Sequence, residues 1–170
     1  MTDWQGIVHQ HTPLVWQTAY RILGNPEDAA DCLQDTFLAA LVISRREPVN
    51  NWMALLRQLT TRRALDRLRQ RFSETNRKES LANLSDIPSE SPRPESRVEN
   101  EELLDELRHA LAQVPEQQAE VFCLRYFEDL EYEEIAEQLA MKSATARVLL
   151  HRARERLREL LAFLVTNTNK

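Results

Sequence analysis

The chain almost lacks the residues that build tight turns between β-strands. Gly6 and Gly24 are its two glycines among 170 residues, and no Asn-Gly or Asp-Gly pair is present. Two-residue β-hairpins depend on such pairs, and no run of alternating β-branched residues supplies strands for them to join. Leu, Ala, Glu and Arg dominate instead, and these residues favour helices. The sequence therefore predicts an all-α fold.

The clearest helical pattern lies in residues 131–164. A short acidic amphipathic segment, a tight connection and a longer basic amphipathic segment follow one another there, which is typical of a helix-turn-helix whose second helix enters the major groove of DNA. Residues at three- and four-residue spacing predict the core side of the second helix; they are Ala146, Leu150, Ala153, Leu157, Leu161 and Leu164. The cations that flank this side are Arg147, His151, Arg154 and Arg158 on one flank and Arg152 and Arg156 on the other. A solvated basic helix in a bundle would show the same pattern, so the distribution of charge along the chain has to distinguish it from a DNA-binding helix.

Charge is strongly segregated along the chain, although the net charge is −5. Residues 45–71 carry 8 basic and 2 acidic side chains, and residues 142–170 carry 7 basic and 2 acidic ones. Residues 101–141, between them, carry 12 acidic and 2 basic side chains. Two basic regions, each closing a helical unit, indicate two contacts with a polyanion such as DNA. The acidic block would repel DNA; a collapsed free protein would let it lie near the basic helix of residues 45–71 and screen that helix.

Other classes of protein find no support in the sequence. Cys32 and Cys123 have no CxxC partner and are expected to be small core residues. The four histidines are scattered without metal-ligand spacing, and neither a P-loop nor a GxSxG signature is present, so no metal, cofactor or catalysis is predicted. No apolar run reaches the roughly 18 residues of a membrane span. We therefore expect no membrane insertion and a cytoplasmic protein.

The N-terminal part contains a helix with two different sides. Thr12-Pro13 either caps a new helix or kinks one, and after Gly24 the pair Asn25-Pro26 is a typical helix start. The predicted core side of the helix that follows is Ala30, Leu33, Phe37, Ala40 and Leu41. The opposite side mixes polar with apolar residues, namely Asp31, Gln34, Asp35, Leu38 and Val42. Solvation explains the acids but not their apolar neighbours, so this side is predicted to bind a protein partner.

The remaining segments divide the chain into two small helical domains. A third helix starts at Trp52 and becomes basic, whereas residues 73–98 hold almost no large apolar residue and are predicted to be a flexible linker. Helical periodicity resumes from Glu102 and stops at Pro115, and a further helix of about residues 116–127 turns Phe122 and Tyr126 inward. The predicted domains are an N-terminal helical bundle of residues 1–72 and a C-terminal helix-turn-helix domain of residues 99–170.

Three segments, in this order, resemble the extracytoplasmic-function (ECF) sigma factors, the two-domain members of the sigma-70 class. GNPEDAADCLQDTFLAAL is similar to the family's polymerase-binding helix, and LLRQLTTRRALDRLRQR to its promoter −10 helix. LRHALAQVPEQQAEVFCLRYFEDLEYEEIAEQL, followed by TARVLLHRARERL, is similar to its −35-binding domain. The resemblance covers nearly the whole chain. It implies a subunit without catalysis of its own that directs promoter-specific initiation by core RNA polymerase.

The resemblance also implies roles for individual residues. Binding of core polymerase is implied for Asp31, Gln34, Asp35 and Leu38. Binding of the promoter −10 element is implied for Arg62, Arg63, Arg67, Arg69 and Arg71. Binding of the −35 element is implied for Lys142, Ser143, Thr145, Arg147, His151, Arg152 and Arg154. An anti-sigma factor or another inhibitory protein is a further candidate partner.

The sequence departs from the family at several positions. The family commonly has Asn in place of Arg62, Gly in place of Ala140 and Ala144, and a β-branched residue in place of Ala146. It also commonly has Ser-Arg where this chain has Val148-Leu149. The missing arginine removes one expected phosphate contact, and the missing glycines affect the turn of the helix-turn-helix.

Two other functions stay compatible with the residues. A stand-alone regulator would hold two helix-turn-helix units one DNA turn apart in a dimer, but no dimer surface or ligand pocket is evident, and the side of Asp31 and Leu38 would be unexplained. A helical signalling adaptor that has lost DNA binding is the other alternative, which the Val148-Leu149 departure keeps open.

Overall fold

The computed structural model of the protein describes residues 2–84 and 99–168, which form seven α-helices and no strand. The helices are α1 (Trp4–Leu23), α2 (Pro26–Arg46), α3 (Trp52–Leu84), α4 (Glu99–Leu111), α5 (Glu116–Tyr126), α6 (Tyr132–Gln138) and α7 (Ser143–Thr168). The predicted all-α fold is confirmed.

Local chemistry sets both ends of α1. The Asp3 carboxylate accepts a hydrogen bond from the amide of Gly6 and caps the first turn. Gly24 ends the helix in the left-handed conformation, with φ 67°, which glycine adopts without steric cost. Pro13 lies inside α1, so the Thr12-Pro13 pair does not start a new helix.

α2 starts where it was predicted to start, but its buried side is rotated about the helix axis relative to the predicted core side. The side chain of Asn25 accepts hydrogen bonds from the amides of Glu27 and Asp28. The buried residues are Ala29, Cys32, Thr36, Phe37 and Ala40, whereas Ala30, predicted to be in the core, is exposed. Small residues at the buried positions let α2 approach its neighbours closely, and the larger Leu33 and Leu41 are left half-buried at the edge of this contact.

α3 is longer than predicted. It continues to Leu84, so residues 73–84, predicted to be part of a flexible linker, are helical. This stretch contains Glu, Arg, Lys, Leu and Ala but no Gly or Pro. A helix anchored by its packed first part extends through such residues without a new nucleation step, even where little surface is buried. The linker prediction was therefore wrong for residues 73–84, and residues 85–98 lie outside the described part of the chain.

The C-terminal helices form the predicted helix-turn-helix. The amide of Glu131 donates a hydrogen bond to the Glu134 carboxylate at 2.7 Å, at the start of α6. Ala140, in the connection to α7, has a left-handed backbone with φ 53°. Along α7 the buried residues are Ala146, Leu150, Ala153 and Leu157. The predicted core side is thus confirmed as far as Leu157; Leu161 is half-buried, and the side chain of Leu164 lies outside the described part.

The two helical units pack against each other, a placement that the sequence left open. One continuous core joins them, with Ile22, Leu65 and Leu68 from the N-terminal unit and Leu111, Val114 and Cys123 from the C-terminal unit. Cys32 and Cys123 are free and buried in this core, as predicted. The ring of Phe72 stacks on His109 at a centroid distance of 4.5 Å. We call this packing of the two units the closed arrangement.

Candidate nucleic-acid interface

The first half of α7 carries the predicted −35 residues on its surface. The exposed ones are Lys142, Thr145, Arg147, His151, Arg152 and Arg154, and Ser143 at the start of the helix is half-buried. In a helix-turn-helix this part of the second helix enters the major groove. The structure therefore brings all seven predicted residues together along about 18 Å, from Lys142 just before α7 to Arg154 within it.

Two tyrosines hold two of these arginines in position. The guanidinium of Arg147 lies 4.3 Å from the ring centre of Tyr132 and 3.8 Å from the Glu133 carboxylate. Arg154 donates hydrogen bonds to the hydroxyl of Tyr126 and lies 5.2 Å from its ring centre. Such stacking contributes roughly 0.5–1 kcal/mol at exposed sites. Tyr126, predicted to face inward, is 46% exposed, because its hydroxyl finds its polar partner on the surface of α7.

The five arginines predicted to meet the −10 element lie along α3, and four of them are paired with carboxylates. The pairs are Arg62–Glu120, Arg67–Asp35, Arg69–Asp66 and Arg71–Asp28, with N–O distances of 2.9, 2.6 and 3.1 Å for the first three. The fifth, Arg63, is half-buried, and its Nε has no hydrogen-bond partner. A carboxylate paired in this way competes with a phosphate for the guanidinium.

Two ion pairs connect α3 to the C-terminal unit. Arg62 binds Glu120 of α5, and Arg57 Nε lies 3.4 Å from Glu128, which follows α5. Both carboxylates are buried, with 3% and 5% of their side chains exposed, and Glu128 also accepts a hydrogen bond from the Thr18 hydroxyl at 2.6 Å. Burial raises the pKa of Glu120, and the charge and hydrogen bond of Arg62 lower it by less. The acidic block therefore screens part of the basic helix, as expected for a collapsed protein.

The residues predicted to bind polymerase lie on the outer side of α2. Asp31, Gln34 and Leu38 are exposed and Asp35 is half-buried. The acids also have a role inside the bundle that the sequence did not reveal, because Asp35 and, at 3.9 Å, Asp31 face Arg67 of α3. Asp35 and Arg67 are 32 positions apart, so no local pattern marks them as a pair.

Other kinds of site find no basis within residues 2–84 and 99–168. No group of three or more His, Cys, Asp and Glu side chains there is arranged to hold a metal ion. None of the helices described there is both long and apolar enough to cross a membrane. Burial raises the pKa of Cys32 to about 11 and that of Cys123 as well, so neither thiol is a reactive thiolate at neutral pH.

A helical bundle with a basic helix, packed on a helix-turn-helix unit with a second basic helix, defines a DNA-binding protein with two basic surfaces. Comparison with known families places both units in one family. Residues 7–73 match Sigma-70 region 2, and residues 104–157 match Sigma-70, region 4. The chain therefore belongs to the sigma-70 family of RNA polymerase sigma factors. Members of this family are transcription initiation factors that bind core RNA polymerase and promoter DNA.

Individual relatives agree with this assignment. The chain is 34% identical over 95% of its length to the ECF RNA polymerase sigma factor SigE of Mycolicibacterium smegmatis, and 29% identical over 91% to SigW of Bacillus subtilis. It spans 63% of the length of the first protein and 87% of the second. The solved sigma factor RpoE, in complex with the anti-sigma factor NepR from Bartonella quintana, has a similar fold, with a TM-score of 0.52 and 22% identity over 95% of this chain and 98% of that one. Neither a stand-alone regulator nor an adaptor explains both family matches in this order.

Proposed function

We propose that this protein directs core RNA polymerase to promoters through three surfaces. The outer side of α2 binds core polymerase, the arginines of α3 meet the −10 element, and the exposed side of α7 meets the −35 element. Residues 1–72 would then hold polymerase and the −10 element, and residues 99–170 the −35 element. The protein catalyses nothing itself and acts in the cytoplasm together with the polymerase. Promoter-dependent initiation by purified core polymerase and this protein tests the function as a whole.

The exposed apolar side of α2 is the observation that carries the proposal. Leu38 is 62% exposed and Val42 is 49% exposed, on the same side of α2 as Asp31. A groove of about 350 Å³ between α1 and α2 adjoins Leu38 and is lined by Trp4, Val8, Leu33, Phe37 and Leu41. Apolar side chains left in water on a helix that is already buried on its other side indicate a protein contact. A partner helix with an apolar ridge and a basic residue opposite Asp31 would fit this surface.

Leu38→Asp tests the polymerase surface. Because Leu38 is exposed, the substitution should leave the fold intact, yet it would place an unpaired charge in the interface and lower the affinity for core polymerase about tenfold or more. Gln17→Asp, at an exposed position of α1, adds the same charge away from this surface and should leave the affinity unchanged. Competition with a reference sigma factor for purified core polymerase measures both variants. If Leu38→Asp competes as well as the wild type, the assigned surface is wrong.

We infer that the closed arrangement limits binding of the −10 element at α3. Arg62 Nε donates a hydrogen bond to the buried carboxylate of Glu120 at 2.9 Å, so the whole guanidinium is free for a phosphate only after this pair separates. Two further guanidinium nitrogens of α3, Arg63 Nε and Arg69 Nη2, are buried without hydrogen bonds. Each such group costs about 1–3 kcal/mol, which DNA phosphates would recover. We therefore propose that core polymerase separates the two units and that promoter DNA then occupies the arginines of α3.

An inhibitory partner is part of the same proposal. The solved RpoE structure is a complex with the anti-sigma factor NepR, and a protein that bound across both units of this chain would stabilise the closed arrangement. Such a partner should slow hydrogen exchange of the α3 and α5 amides and compete with core polymerase. A bound inhibitor that leaves α3 exchange unchanged would act in another way.

A further inference from the structure

α7 presents two apolar side chains on the line that points away from the protein core. Successive residues of an α-helix are turned by about 100°, and the buried Ala146 and Leu150 mark the core side. Val148 lies midway between them in sequence, so it is turned about 160° from each, in opposite senses. Ala144 lies one turn before Val148 on the same side. Both are exposed, Val148 to 48%.

Polar and cationic side chains lie on both sides of this apolar line. Arg147 and His151 flank it on one side and Thr145 and Arg152 on the other, all of them exposed. When a helix lies in the major groove, its flanking cations meet phosphates, and the line facing away from the core meets base edges. Arg147 is held against Tyr132 and Glu133 of α6, so its guanidinium leaves the space in front of Val148 open. Val148 and Ala144 are thus the apolar side chains that would face the floor of the groove.

The chemistry of these two side chains restricts what they can read. Neither forms hydrogen bonds, so a base donor or acceptor covered by them would lose its water partner without replacement. The floor of the major groove offers one apolar group, the C5-methyl of thymine. We propose that Val148, with Ala144 beside it, is a specificity-determining contact that selects an A·T pair in the −35 element through the thymine methyl group. This inference rests on the −35 role proposed for α7 and adds the base that α7 reads.

Replacement of thymidine by deoxyuridine tests the proposal because it removes the methyl group and nothing else. The whole 170-residue chain, in which Ala144 and Val148 are exposed, selects duplexes from a pool with a randomised centre. Each thymine of a selected duplex is then replaced singly. We expect one position at which loss of the methyl group weakens binding about three- to fivefold. Val148→Ser should bind the two duplexes equally well. Leu103→Ser is the matching control, since it replaces an exposed apolar residue of α4 by serine. This variant should still bind the duplex with the methyl group more tightly.

Three results would overturn the proposal. The first is that the protein selects no sequence from the pool, and the second is that the selected duplex contains no thymine whose methyl group affects binding. The third is that binding by Val148→Ser depends on the methyl group as strongly as binding by the wild type. If Val148→Ser weakens binding to core polymerase and leaves the selected sequence unchanged, the apolar line is a protein contact and the proposal also fails. Promoter-dependent initiation separates this failure from that of the proposed function: initiation without methyl sensitivity contradicts the thymine contact alone, whereas no initiation contradicts the function.

Discussion

At the scale of single residues, Glu120 is a carboxyl group buried between α5 and α3. Because burial raises its pKa above the ordinary value of 4.5, the folded protein keeps the proton over a pH range in which the unfolded chain has lost it. The stabilisation from this difference is fully present below pH 4.5 and is lost as the pH rises through the folded pKa. Glu120→Gln has nearly the same shape but stays neutral, so its stability lacks this dependence on pH.

We therefore predict that the wild type gains stability relative to Glu120→Gln as the pH falls from neutrality toward 4.5. Urea unfolding of both proteins at each pH measures the free energies of unfolding. Taking the difference between the two free energies cancels contributions that both proteins share. If the wild type instead loses stability relative to the variant over this range, the pair with Arg62 outweighs the burial of the carboxylate.

At the scale of elements, the turn between α6 and α7 contains a strained residue. Ala140 has φ 53°, a left-handed conformation that costs a residue with a Cβ about 1 kcal/mol more than glycine. Ala140→Gly should therefore raise the free energy of unfolding by about 0.5–1 kcal/mol. Ala144→Gly makes the same change in the first turn of α7 and should lower it by up to about 1 kcal/mol. Urea unfolding measures both, and effects of the same sign would contradict the turn geometry.

The end of α1 is capped by a residue of the other unit. Arg108 of α4 is buried and donates hydrogen bonds to the carbonyls of Arg21 and Ile22. A Cβ on Gly24 would lie 2.4 Å from the guanidinium carbon of Arg108, so Gly24→Ala should both strain the backbone and displace this cap. In an Arg108→Ala background the same change should cost about 1–2 kcal/mol for the backbone alone.

A double-mutant cycle by urea unfolding measures this coupling between α1 and α4. We expect Gly24→Ala and Arg108→Ala to be coupled by about 1 kcal/mol or more, because each of them removes the same cap. Strict additivity would contradict a cap that joins the two units.

Helix ends and the surface of α7 were predictable because their signals are local. Asn25 before Pro26 marked the start of α2, and the spacing of buried residues in α7 determined which of its cations face solvent. The buried side of α2 was predicted less well, since large apolar residues suggested a side centred near Leu33, whereas the small Ala29 and Cys32 lie at the closest contact. Helix propagation beyond the packed part of α3 also left no signal in hydrophobic periodicity.

For contacts between distant segments, the charge distribution predicted which segments lie close together but not which side chains form pairs. The acidic block was expected near the basic helix, yet nothing local distinguishes Glu120 from its other acids. Its partner Arg62 lies 58 positions away, and the pair exists because α5 packs on α3. Tyr126 and Tyr132 were missed as supports of the α7 arginines for the same reason, since they lie on other elements.

At the scale of the whole molecule, the closed arrangement leaves the two proposed DNA-binding surfaces in different states. A shared core and the two ion pairs of Arg57 and Arg62 hold the units together. The outer side of α7 is exposed in this arrangement, whereas Arg62 is engaged with Glu120. The free protein thus exposes the proposed −35 surface and keeps Arg62 of the proposed −10 surface paired. We propose that core polymerase, by binding α2, opens the molecule.

The distance between the two units, measured with and without core polymerase, tests whether polymerase opens the closed arrangement. Donor and acceptor dyes at His9→Cys of α1 and Arg158→Cys of α7, both exposed positions, report the separation when Cys32 and Cys123 are replaced by alanine. We predict high energy transfer in the free protein and a clear fall when core polymerase is added. Leu38→Asp should need about tenfold more polymerase, or more, for the same fall, because its affinity is lower. If the labelled protein binds core polymerase with wild-type affinity and the energy transfer stays unchanged, polymerase does not open the closed arrangement.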